Sequence, residues 1–149
     1  MTKTKNSNVA ESLKNKFSGC IEGWDDKNPS RVYFNFPTPK VRELVSYLYN
    51  ELGLRFIIAS GTDTRSAVEI LYHFADDNSG TVVSARTTLN DKKDLRIDSI
   101  SDIFIGAAWI EREIHELLGV DFPGNNNLKH LLLKDDWPEN DFPLRHDND

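Results

Sequence analysis

The sequence predicts an α+β fold: a small mixed or antiparallel sheet packed with helices, followed by a C-terminal helix and an extended irregular tail. Three observations predict it. Residues 67–75 and 81–89 read as the two arms of a hairpin across the turn "DDNSG", with Val68, Ile70, Tyr72 and Phe74 alternating against Glu69 and His73. Residues 38–53 carry an apolar stripe at helical spacing. Residues 107–118 carry a second one, after which regularity fades for thirty residues. Strands run in succession between helices, as in layered α+β domains.

The elements follow in order. Residues 1–8 are polar and expected to be disordered. Val9, Leu13 and Phe17 recur every four residues, which predicts a short amphipathic helix ended by Gly19. "RVYFNF" (31–36) alternates as a strand. In "PTPKVRELVSYLYNELG", Thr38 is a candidate cap and Pro39 suits the first turn, where its missing N–H costs nothing. Val41, Leu44, Val45, Leu48 and Leu52 form the buried stripe, and Gly53 is the expected stop. "LRFIIAS" (54–60) has the length and composition of a strand, and "TVVSARTTL" (81–89) is rich in β-branched residues. From Ser99 the pattern turns helical again, with Ser101 or Asp102 as a cap. The division expected is an α+β domain over 1–118 and a partner-binding tail over 119–149. Leu131, Leu132, Leu133, Trp137, Phe142 and Leu144 make that tail too apolar for plain disorder.

Composition excludes several functions. With 18 Lys and Arg against 24 Asp and Glu, the chain has a net charge of −6 and is no candidate for the phosphate backbone of nucleic acid. The start "MTKTKNSNVAES" lacks the apolar core of a signal peptide, and no run has the roughly 20 apolar residues of a membrane span. The expectation is a soluble, cytoplasmic chain. Cys20 is the single cysteine, so an iron–sulfur cluster or structural zinc, needing about four ligands, has no ligand set. No glycine-rich loop opens a helix and no nucleophile elbow is present.

The stretch "WIEREIHELLGV" (109–120) is the richest in chemistry. On a helical wheel Ala107, Ile110, Ile114, Leu117 and Leu118 share an apolar arc, flanked by Glu111 and Glu113. Trp109, Arg112 and Glu116 fall opposite, with His115 nearby. "HELLG" begins like a zinc signature, but Gly119 stands where the second histidine belongs. A stand-alone metal-dependent enzyme would use Glu111, His115 and Glu116. The plainer alternative makes Glu111–His115 and Arg112–Glu116 ordinary surface pairs one turn apart. Trp and Arg are also the types enriched at interface hot spots, which nominates Trp109, Arg112, Glu116, Leu131, Trp137, Phe142 and Arg145 as partner-binding residues. Trp109 has two readings: it faces a partner, or the tail folds over it.

"DSISDIFIGAAWIEREIHELLGV", followed by "LKHLLLKDDWPENDFPLR", resembles the 30-kDa-type subunit family of respiratory complex I. Glu111, Arg112, Glu113, Glu116, Leu117 and Leu118, then Lys129, Leu131 and Leu132, stand in the spacing of that family's signature. Asp135, Asp136 and Trp137, then Pro143, Leu144 and Arg145, follow in the family's order, so the likeness covers residues 98–147. Asn125 departs from it, standing where the family usually has a histidine or lysine. The short C-terminal stretch resembles the corresponding subunit of energy-converting, membrane-bound NiFe hydrogenases. The resemblance implies a non-catalytic peripheral-arm subunit without cofactor, on the cytoplasmic side of the membrane. It would dock on a hydrogenase-like or quinone-binding large subunit, beside an iron–sulfur small subunit. Iron–sulfur clusters and a NiFe centre or flavin would belong to the partners.

Overall fold

The computed structural model describes residues 3–28 and 30–146, with side chains from Val9 onward. Met1 and Thr2, at the start of the segment expected to be disordered, lie outside the described residues, as do Asp147, Asn148 and Asp149 of the tail. The chain divides into two compact units: residues 1–58 with 71–87, and residues 59–70 with 88–149. The second unit takes in both the C-terminal helix and the tail.

Helix α1 (Lys3–Lys16) opens the first unit and reaches further towards the N-terminus than the Val9–Phe17 stripe. Strands β1 (Glu22–Asp25), β2 (Arg31–Asn35), β3 (Arg55–Asp63), β4 (Val68–Asp76) and β5 (Thr81–Leu89) form one sheet in the order β1-β2-β5-β4-β3. β1 pairs antiparallel with β2, whereas β2 pairs parallel with β5, setting Val32 beside Val83 and Phe34 beside Ala85. The sheet is thus mixed. β1 was not legible in "EGWD", which lacks an alternating apolar face. It bulges, with Gly23 at a φ of 59°, and Trp24 stacks on Phe34 at 5.5 Å.

The expected helix over 38–53 is three shorter pieces. A 3-10 turn (Thr38–Lys40) leads into helix α2 (Val41–Ser46), which widens into a π turn (Tyr47–Glu51). Thr38 does not cap it. Its hydroxyl lies 2.8 Å from that of Thr87 on β5, and Pro37 precedes the 3-10 turn without a side-chain cap. Val41, Leu44, Val45 and Leu48 are buried as the stripe requires, together with Leu13, Phe17, Val32, Phe34, Tyr72, Phe74 and Val83. Each such side chain contributes about 1.5–3 kcal/mol.

In the second unit the segments at 95–99 and 121–123 run side by side. The Asp121 N–H donates to Leu95 O at 2.9 Å, the Ile97 N–H to Asp121 O at 3.1 Å and the Ser99 N–H to Pro123 O at 2.8 Å. Residues 101–106 form turns rather than the expected start of a helix. Helix α3 (Ala107–Leu118) begins after Gly106 with no side-chain cap, so neither Ser101 nor Asp102 has that role. Its inner face buries Ala107, Ile114 and Leu118, and Leu95, Ile97, Ile100, Val120 and Phe122 are buried in the same unit. Gly61 of β3 permits this approach, since a Cβ there would sit 2.6 Å from Leu118 Cδ1. Gly119 ends the helix at a φ of 76°, and a Cβ on it would stand 2.6 Å from the Phe142 ring.

Gly119→Ala combines left-handed strain with displacement of that ring. The variant is expected to lose about 1–3 kcal/mol in denaturant titrations; an unchanged midpoint would show that the tail ring is not seated there.

Candidate docking site

α3 presents two glutamates to the interior, contrary to the expectation of surface pairs. Glu111 is 1% exposed. Its carboxylate accepts from the Ile100 N–H at 2.8 Å, from Ser99 Oγ at 2.7 Å and from Asn125 Nδ2 at 2.9 Å. Asn125, the residue departing from the family pattern, therefore clips the turn after Phe122 onto the helix. Burial pushes the Glu111 carboxyl above its ordinary range, against the pull of those three donors.

Glu116 is 3% exposed and lies on the other flank. It accepts three consecutive backbone N–H groups, those of Leu131 at 2.9 Å, Leu132 at 2.7 Å and Leu133 at 3.3 Å. His130 Nδ1 adds a contact at 3.2 Å. "LKHLLL" forms no helix because these amides point at the carboxylate instead of at carbonyls of their own segment. Burial alone would raise the Glu116 pKa; the three amides and His130 outweigh it and hold the carboxyl below its ordinary value. Arg112, one turn earlier, donates to the carbonyls of Lys129 at 2.9 Å and His130 at 2.7 Å. It pairs with the tail, not with Glu116.

A second clasp holds the end of the tail. Asp63, buried at the end of β3, meets Lys92 Nζ at 2.7 Å and Arg145 Nε at 3.9 Å, and accepts the His146 N–H at 2.8 Å. Burial opposes the Asp63 charge, but Lys92, His146 and Arg145 hold its pKa below the usual range. Arg145 also donates to Leu118 O at 3.2 Å and Lys92 O at 3.4 Å. Nothing in the spacing of Asp63 marked it for this role, because its partners lie far along the chain.

The nominated residues thus separate. Trp109 is 65% exposed, so the tail does not fold over it. Arg112, Glu116 and Arg145 are engaged by the chain's own backbone and by Asp63. Leu131 is half-buried beside Glu116, the half-buried Phe142 packs on Gly119, and the Trp137 Nε1–H donates to Asp141 O at 2.9 Å. The metal alternative finds no geometry. His115 Nδ1 donates to Val120 O at 2.8 Å while Glu111 and Glu116 each hold other groups. Among the described residues no three His, Cys, Asp or Glu side chains are grouped to hold an ion.

Glu116→Gln removes the charge and replaces one of the two accepting oxygens by an NH₂ that faces at least one of the three N–H donors, and it is expected to loosen the tail locally by about 1–3 kcal/mol. The readout is amide-exchange protection at Leu131, Leu132 and Leu133. In the parent chain Glu116 has a lowered pKa, so its contribution is complete at neutral pH and is lost as pH falls below the ordinary glutamate range and through the lowered pKa of the folded state. Glu111, with a raised pKa, acts in the opposite sense and favours the fold on the acid side. Protection at the three leucines that is the same in both proteins from pH 7 to 3 would remove Glu116 as the anchor.

Comparison with known proteins gives the family. The family described as "Respiratory-chain NADH dehydrogenase, 30 Kd subunit" matches residues 34–149. The C subunit of the F(420)H(2) dehydrogenase of Methanosarcina mazei is 31% identical over 142 residues, covering 93% of this chain and 89% of that protein. The C/D subunit of the NADH-quinone oxidoreductase of Phocaeicola vulgatus is 42% identical over 82 residues, or 54% of this chain and 15% of the longer protein. Hydrogenase-4 component G of Escherichia coli is 25% identical over 93% of this chain and 26% of its own length. Among solved structures, a chain of the membrane-bound sulfane sulfur reductase, an archaeal respiratory membrane complex, shares the fold with a TM-score of 0.81 at 23% identity, covering 96% of this chain and 85% of that one. A trypsin-resistant fragment of Nqo5 gives 0.65 at 21% identity, covering 82% and 98%. No helix among the described residues is long and apolar enough to cross a membrane, and the relatives are subunits of oxidoreductase complexes. On the match across residues 34–149, this chain belongs to the 30-kDa subunit family of the respiratory-chain NADH dehydrogenase.

Proposed function

We propose that this chain is a non-catalytic peripheral-arm subunit of a membrane-bound oxidoreductase, and that it docks on the complex's large subunit through the outer face of α3 and the adjoining tail. The observation that carries this is how α3 uses its side chains. Its buried carboxylates and Arg112 are committed internally, while Ile105, Trp109 and Leu132 remain 85%, 65% and 64% exposed. Ile105 and Trp109 are one turn apart, and Trp109 shares a helix face with Arg112, which holds the segment leading to Leu132. Large apolar side chains on a rigid support have the composition of an interface core.

Within that class the proposed complex is an energy-converting NiFe hydrogenase, coupling ferredoxin oxidation to proton reduction and ion translocation at the cytoplasmic face of the membrane. Similarity to hydrogenase-4 component G supports it. The rival is a quinone-reducing complex of the complex I type, supported by the NADH-quinone oxidoreductase relatives and the long match to the F(420)H(2) dehydrogenase protein. In both, iron–sulfur clusters and the NiFe centre or flavin reside in partner subunits; Cys20 alone supplies no ligand set. Affinity purification from gently solubilised native membranes separates the two. A NiFe large subunit with iron–sulfur subunits supports the hydrogenase, flavin- and NADH-module subunits support the rival, and a chain recovered alone rejects docking.

Trp109→Ala is expected to weaken assembly by about 2 kcal/mol or more, roughly 30-fold in dissociation constant, with the free chain's melting temperature unchanged. Equal subunit retention in mutant and parent complexes would reject Trp109 as an anchor.

A further inference from the structure

The sheet ends on β3 (Arg55–Asp63), and among the described residues no strand pairs with its outer side. Edge strands in natural proteins are commonly protected by a central lysine, a proline, a bulge or brevity. β3 lacks the lysine, the proline and the brevity. It is nine residues long, and "FIIASGT" between its terminal charges carries neither a charge nor a proline. Both terminal charges are also neutralised within the chain: Arg55 makes a two-pronged pair with Asp77 at 2.9–3.3 Å, and Asp63 is held by Lys92 and Arg145. Ile57 and Ile58 are 43% and 45% exposed. Being consecutive in a strand, they point to opposite faces, so a single packed layer could not cover both.

From this we infer that β3 is a second interaction surface, which accepts an extended strand from a neighbouring subunit and so lengthens the sheet. An added strand supplies the backbone partners an edge requires and can carry apolar residues on both faces, beside Ile57 and Ile58. A second copy of β3 fits less well. Two copies paired antiparallel along their full length are centred on Ala59, which sets Ile57 opposite Gly61 and Ile58 opposite Ser60 and leaves both isoleucines half covered. The occupant is therefore a foreign strand with apolar side chains at neighbouring positions. That a neighbouring subunit is the donor rests on the proposed assembly.

The test is amide exchange on the peptide covering Ile57 and Ile58, compared between the purified native complex and the chain released from it. About tenfold or greater slowing in the complex is expected, because added ladder hydrogen bonds must open before exchange. The double variant Ile57→Lys, Ile58→Lys is expected to abolish that slowing and to lower retention of one subunit. Ile57→Val, Ile58→Val should preserve both. Melting of the free double-lysine chain should match the parent, since both positions are exposed. A chain that co-purifies with its complex yet exchanges at the free rate overturns the added strand while leaving docking intact. A chain that co-purifies with nothing overturns both. Slowing that appears only with dimerisation of the isolated chain assigns the edge to a second copy and overturns the foreign strand.

Discussion

The second unit depends on a carboxylate reading a backbone. Glu116 lies out of water, where its charge survives only because Leu131, Leu132 and Leu133 aim three successive N–H groups at it. The segment that supplies them has no secondary structure of its own, and ordering each such residue costs about 1–2 kcal/mol in backbone entropy. Apolar contact in this tail is too sparse to offset that cost unaided: Leu132 and Leu144 face solvent, and Leu131, Leu133 and Phe142 are only half-buried. The charge-assisted contacts are individually stronger than ordinary hydrogen bonds, and several converge on one side chain. A helix residue thereby takes the place of the strand or helix partner that the tail lacks.

Arg112 completes the arrangement. It stands one turn before Glu116 and engages the opposite polarity of the same backbone, donating to the carbonyls of Lys129 and His130 just before the amides that Glu116 binds. A cation for carbonyls and an anion for amides, spaced by one helical turn, fix both the direction and the register of the segment. Glu111 performs a related task on the other flank, where Ile100, Ser99 and Asn125 converge on it. The dense run of charges in "EREIHE" is therefore mostly internal wiring, and Asp63 with Arg145 secures the far end of the tail in the same manner.

Much of the fold was legible because burial imposes periodicity. Val41, Leu44, Val45 and Leu48 announced a buried helical face, Val68, Ile70, Tyr72 and Phe74 a buried strand face, and Gly119 the end of α3. What escaped notice depends on partners remote in sequence. β1 exists because Trp24 can stack on Phe34 and pair with β2, neither of which "EGWD" reveals. Thr38 looked like a cap, yet a hydroxyl 49 positions later was the better partner. Glu111 and Glu116 looked solvated because side-chain type alone places carboxylates outside. The clue available was the resemblance to a family signature, whose spacing matches the residues that the structure uses to tie the tail down.

That correspondence bears on where partner choice resides. The signature residues Glu111, Arg112 and Glu116 are consumed in building the helix–tail unit of this chain. On the docking proposed above, the choice of one partner over another falls to side chains that the internal wiring leaves exposed, because only those change their surroundings on docking. On α3, the turn before it and the tail these are Ile105, Trp109 and Leu132, and Leu144 at the far end. Division of labour follows from geometry: buried charge sets the shape of the surface, and exposed apolar residues set what that surface fits.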